Sequence, residues 1–579
     1  MPLQEFAGTL GLKRAAHLLR RATFGATKAQ IDSFATLTPS QAITALFHQS
    51  LPDAPLPIDP KTGTEWVEAG VTDANSEDLD ELFKRWFIGQ MLSAGVSADS
   101  SLAYAARERM VFFLHSHFTT ISSTVGNSRS LYFQNALFRL FALDGVSADP
   151  DINIKALTVK VSVDNAMLRL LNGNENVKGS VNENYGRELL ELYTIGRGLE
   201  GALPVSPGPG DYIVYTEQDV RAAARVLSGW DIDDDFATRD TDTTLPRGTV
   251  KGSVNNASAH DNEPKQFSAR FNSTVIQGDP ALMAGGNPTE ESALDEIVQL
   301  IDMIYAKPET ARNICWKIYR FFVYAPHTVD ESVAIDTSII SEMANTLVAS
   351  NFKILPVVEN LLRSVHFYEA TDPTVTDDNF GGIIKSPLDL VIHSLRFFGF
   401  GISDMTTATE AFYEQTGEVL DYVRQQAMNF YEPYDVAGYD AYHQFPIYHR
   451  YWITPNTLAN RYVYVRNIIT ASEPGMIKVD VYEFVRNNIP GATAADARLL
   501  VMELAKYLLP VTDNLTFDDA ADDTSGLTAR RVNYFKERFL QTFDEAYWTT
   551  RWNASAGDLR DQLEYLFNAI MQSPEYQLA

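Results

Sequence analysis

A single cysteine, Cys315, stands in the 579 residues of the chain. One thiol excludes an intrachain disulfide and any site built on clustered cysteines. Its surroundings, Asn313 to Tyr319, follow an apolar helical pattern, so Cys315 reads as a small buried hydrophobe. Basic charge is also short. The 47 Lys and Arg face 75 Asp and Glu, leaving a net charge of −28. A surface of that sign repels phosphate backbones, which argues against nucleic acid as a partner. It suits solubility or a basic protein partner. No apolar run approaches the roughly 18 residues that suggest a membrane span. The N-terminus lacks an apolar region of signal-peptide length, and Arg20-Arg21 leads into a polar turn rather than an export signal. Compartment is therefore open. Also missing are the Gly-rich phosphate loop, the Rossmann glycine fingerprint and the Gly-x-Ser-x-Gly elbow, so nucleotide-driven and α/β-hydrolase chemistry find no support.

What is present is enough apolar material for a large core: 45% hydrophobic and 11% aromatic residues rule out global disorder. The length exceeds what one core usually holds, so the reading is two helical lobes, 1–230 and 291–579, packed together. Between them, 231–290 loses helical periodicity and is dominated by Asp, Thr, Asn and Gly. It reads as an irregular or small-β insertion. The fold class is mainly α, a large multi-helix globular protein. Thr27 and Gln30 have capping-box spacing, as do Thr216 and Asp219. Arg107 to Phe118 is nearly continuous in apolar residues and must be deeply buried.

The densest cluster of functional side chains runs from Asn182 to Gly196. On a helix, Tyr185, Leu189, Leu190, Leu192 and Tyr193 share an apolar arc, opposite Glu183, Asn184, Arg187, Glu188 and Glu191. Arg187 lies four residues from both Glu183 and Glu191 and is able to bridge them. Glu188 sits at the boundary of the arc, where partial burial would raise its pKa. One reading makes Glu188 a general acid/base or metal ligand, helped by Glu183 or Asn184. The plainer one is an amphipathic helix with an ionic ladder.

His115 and His117 fall inside an apolar run, where an imidazole is costly unless bonded. On a helix they point about 200° apart and cannot share a metal; in an extended segment they share a face. A metal site thus requires the helix to end near Leu114. With His260, and Asp261 orienting, they would offer nitrogen ligands for zinc, iron or manganese. The alternative is that each histidine is satisfied separately in the core. The acidic run Asp231 to Asp235, with Asp240 and Asp242, is either a calcium site or a solvated loop. An aromatic loop with Tyr439, Tyr442, His443, Tyr448, His449, Tyr451 and Trp452 either stacks on sugars or packs itself down.

Several segments together carry a resemblance. They are His17 to Gly25, Arg107-Glu108-Arg109 leading into His115 to Phe118, Tyr132 to Asn135, Asn182 to Gly196, Val220 to Trp230, His260-Asp261, Lys385-Ser386-Pro387 and Ser573 to Leu578. In this order they resemble the large bacterial domain-of-unknown-function family 1800. The resemblance implies a helix-rich fold, frequent export, and an extracellular task shared with alkaline-phosphatase-like neighbours. It implies no established activity. Leu114, Ser116 and the loop Glu432 to Tyr439 depart from the family pattern. The resulting expectation is a metal-assisted hydrolase or related enzyme on an extracellular polymer or small ester. Its site would be His115, His117 and His260 with Asp261 and Glu188. The alternative is a non-catalytic binding or assembly protein with a protein or carbohydrate partner.

Overall fold

The structure is a computed structural model and describes residues 3–67, 76–368, 379–470, 477–521, 527–554 and 559–579. It is mainly α, as the periodicity predicts. The helices used below are α1 (Gly11–Ala22), α2 (Ser101–His117), α3 (Asn184–Glu188), α4 (Glu217–Val226), α5 (Glu290–Tyr305), α6 (Pro308–Phe322) and α7 (Pro387–Phe397). Capping boxes open several of them. Thr216 and Asp219 begin α4, Thr289 and Ser292 begin α5, and Thr27 with Gln30 begins the helix Lys28–Ala35. Each satisfies backbone donors that a helix start would otherwise leave orphaned.

Helix α2 is buried on nearly every side from Leu102 to His117. Its charges are therefore neutralised locally. Glu108, fully buried, is held by Arg139 at 2.6 Å and Arg107 at 3.0 Å, and Arg109 donates to Asp389 on α7 at 2.5 Å. One continuous apolar core runs from Leu10 to Tyr576. It draws the two ends of the chain together: Arg20 on α1 donates to the carbonyl of Tyr507, and Arg21 to those of Asn379 and Ala579.

Helices α3 and α4 cross closely. A Cβ on Gly186 would lie 2.8 Å from the backbone nitrogen of Ala224, so only glycine admits this approach. Beyond α4 the chain is irregular. Strand Trp230–Asp231 pairs antiparallel with Thr249–Val250, and Lys265–Gln266 with Val275–Ile276. Gly229 closes α4 at φ +87°, and a Cβ there would meet the nitrogen of His260 at 2.5 Å. Among the described residues no helix is long and apolar enough to cross a membrane.

Candidate functional site

Helix α3 does not continue as an α-helix. From Leu189 to Tyr193 it widens into a π-helix, a distortion that recurs at functional sites. A helix end leaves carbonyls without partners, and here three side chains from two elements, α2 and α6, supply the donors. Lys317 of α6 donates Nζ to the carbonyl of Leu192, His117 of α2 donates Nε2–H to that of Tyr193 at 3.0 Å, and Asn313 donates to that of Thr194 at 2.8 Å. Thr194 closes the turn by donating its hydroxyl to Leu189.

The wider turn rearranges the charges. Glu191 faces Arg197 at 2.5 Å and the Tyr215 hydroxyl at 3.2 Å, rather than Arg187. Arg187 instead grips Glu217 at 2.6 Å and the Tyr212 hydroxyl at 3.0 Å, with Glu183 at 3.7 Å. The ladder expected from α-helical spacing is thus half formed, because the i→i+5 turn rotates Glu191 away. Glu183 also pairs with Arg221, and Asn184 donates its amide to Leu171.

Glu188 is the exception in this segment. It is half-buried, and among the described residues its carboxylate has no hydrogen bond or ion pair. Burial, then the negative charge of Glu191, push its carboxyl up to about 7, against the weaker pull of Arg187 and Arg197; the charge of Asp435 adds to the rise. Such a carboxyl carries a proton near neutral pH, as a general acid must. The buried Tyr193 hydroxyl, which feels the charge of Glu188, likewise has no partner among the described residues.

Lys317 and His443 complete the charged surroundings. Burial and the Arg320 guanidinium push the Lys317 ammonium down to about 7. Burial lowers His443, against the opposing charges of Asp435, Asp440 and Glu200. Glu188 and His443 both feel Asp435, and His443 and Lys317 feel each other. The π-helix, α6 and the loop around 435–443 therefore meet in one titratable cluster.

The three histidines are not brought together. Helix α2 runs through His117 instead of ending near Leu114, so His115 and His117 point to different sides. His115 stacks on Tyr431 with ring centroids 3.8 Å apart, and burial holds it down to about 3. His117 is spent on the π-helix carbonyl. His260 donates Nδ1–H to Ser228 at 2.9 Å and sets Nε2 3.3 Å from Glu296, which Lys265 also binds. Asp261 pairs with Arg225 at 2.7 Å. Among the described residues no group of three or more His, Cys, Asp or Glu side chains is placed to hold a metal ion. The acidic loop likewise finds cations within the chain, Asp240 and Asp242 at Lys160 and Asp234 at Arg169. Of the aromatic loop, Tyr439, Tyr448 and Trp452 are buried, and Tyr451 is exposed.

Reading the sequence alone missed Lys317, Asn313, Asp435 and Glu200. Lys317 carried the one available signal, a cation on the apolar stretch around Cys315. Asn313 and Asp435 carried none, because their roles arise only where distant segments meet.

A family model described as "Protein of unknown function (DUF1800)" matches residues 17–578. No curated protein and no solved structure matches the chain.

Proposed function

Since the chain belongs to the DUF1800 family, whose description carries no activity, we propose a function from its own residues: an acid–base hydrolase. Glu188 protonates the leaving oxygen of an ester or glycosidic bond as the C–O bond breaks. A water adds its oxygen to the released carbon and gives its proton to a second carboxylate. Asp435 suits that role, because Glu191 is already tied to Arg197 and Tyr215. A carboxyl held neutral near neutral pH is the general acid that such hydrolysis uses. The observation that carries the reading is Glu188 itself, half-buried, without a hydrogen-bond partner among the described residues and pushed to about 7. The three-histidine metal site forms no part of the proposal.

The test uses esters and glycosides with unactivated alcohol leaving groups, for which proton donation matters most. Wild-type activity falls as pH rises through 7, and Glu188→Gln loses on the order of 100-fold or more. Full activity in Glu188→Gln, or no turnover of any member of the panel by the wild type, contradicts the reading.

A second reading, a non-catalytic assembly protein, is favoured by His117, His260 and Asp261 all being spent on internal bonds. It predicts a defined complex by light scattering and no turnover.

A further inference from the structure

The segments around Arg20-Arg21, Arg107-Glu108-Arg109 and Lys385-Ser386-Pro387 take no part in the Glu188 site, yet they meet at one pocket. Its wall includes Arg20, Arg21, Arg109, Arg320, Asp389 and His449, around a cavity of about 20 Å³ that is partly open to solvent. Four guanidinium groups face one acidic side chain, Asp389, and the oxygen of the last residue, Ala579, which accepts from Arg21 at 2.7 Å. Asp389 is already occupied, accepting from Arg109 at 2.5 Å and from the Ser386 hydroxyl at 2.8 Å. Arg20 donates to the carbonyl of Tyr507 at 2.6 Å, and Arg320 reaches Glu200 at 3.0 Å. Lys385 and Arg461, fully buried nearby, donate to the carbonyls of Tyr576 and Lys385.

Donors are also left over. The backbone N–H of Ile384 donates to Nδ1 of His449 at 3.1 Å, so the proton of the neutral ring sits on Nε2. That Nε2–H has no acceptor among the described residues, and neither do Nε of Arg109 or Nε of Arg320. His449 and Arg109 are both more than nine-tenths buried. Buried donors without acceptors are rare in folded proteins, and the planar arginine fork matches carboxylate and phosphate oxygens.

We propose that this pocket binds a small oxyanion, a phosphate or a carboxylate, held by Arg20, Arg109, Arg320 and His449. The site does not depend on the role of Glu188. Titration calorimetry at constant ionic strength, with sodium phosphate, acetate and chloride in turn, tests it. Saturable one-to-one binding of phosphate or acetate, absent with chloride, is expected. Which of the two binds separates a tetrahedral ligand from a planar one. The double variant Arg320→Gln, His449→Phe weakens that binding at least tenfold while keeping the circular dichroism of the wild type. Phenylglyoxal labelling of the wild type, read by mass spectrometry, supplies a check that needs no variant. The bound anion protects Arg20, Arg109 and Arg320 from modification. No saturable binding, undiminished binding in the double variant, or protection confined to other arginines overturns the proposal.

Discussion

At the carboxyl of Glu188, burial and the charge of Glu191 act in the same direction, both favouring the protonated form. The folded state therefore holds this proton up to about pH 7, whereas the unfolded chain releases it near 4.5. Between those values the native state binds more protons than the unfolded one, so stability falls as pH rises from 4.5 through 7. Above 7 the ionised carboxylate is a standing cost. Glu188→Gln removes it. Allowing for solvent screening of the partly exposed group, we expect the variant to exceed the wild type in stability by about 1–2 kcal/mol at pH 8.5. The advantage shrinks towards pH 4.5. Denaturant melts at the two pH values measure this, and equal midpoints at pH 8.5 would show that the carboxyl is solvated. The sequence made Glu188 legible through its place at the edge of an apolar arc. It did not reveal Asp435 as a neighbour, since that residue lies far along the chain and carries no local signal.

The element that matters is the short π-helix, Leu189–Tyr193. Its apolar positions fit an α-helical wheel as well as a wider one, so periodicity alone could not tell them apart. The misplaced Arg187–Glu191 bridge follows from that ambiguity. What fixes the wider turn is tertiary: Lys317, His117 and Asn313 each take one terminal carbonyl. His117 thus positions the end of the π-helix through its Nε2–H. His117→Phe keeps the aromatic volume and leaves the Tyr193 carbonyl without its donor, which costs about 1–3 kcal/mol. Thermal melts should show the loss, with the metal content of the purified protein the same as in wild type. A metal present in the wild type and gone from the variant would return His117 to a ligand role.

On the scale of the whole molecule, the sequence made the fold class legible and the interior electrostatics obscure. Helical periodicity, capping pairs and the loss of period after Asp231 are local signals, and the structure follows them. Whether His115, His117 and His260 share a centre depends on ring direction and on which distant helix faces each one. The structure answers with three separate partners: Tyr431, the Tyr193 carbonyl and the Ser228 carbonyl. Net charge was similarly blind to place. A chain of −28 still gathers a set of arginines around the pocket between α1, α2, α6 and α7. The same packing of distant segments half-buries Glu188 and brings it within reach of the charge of Asp435, and that burial underlies the proposed chemistry. The most direct test is a carbon-13 titration of the glutamate side-chain carboxyls, with the Glu188 signal assigned by its loss in Glu188→Gln. A midpoint near 7 is the result predicted here; a midpoint near 4.5, that of an ordinary solvated glutamate, would contradict Glu188 as the acid.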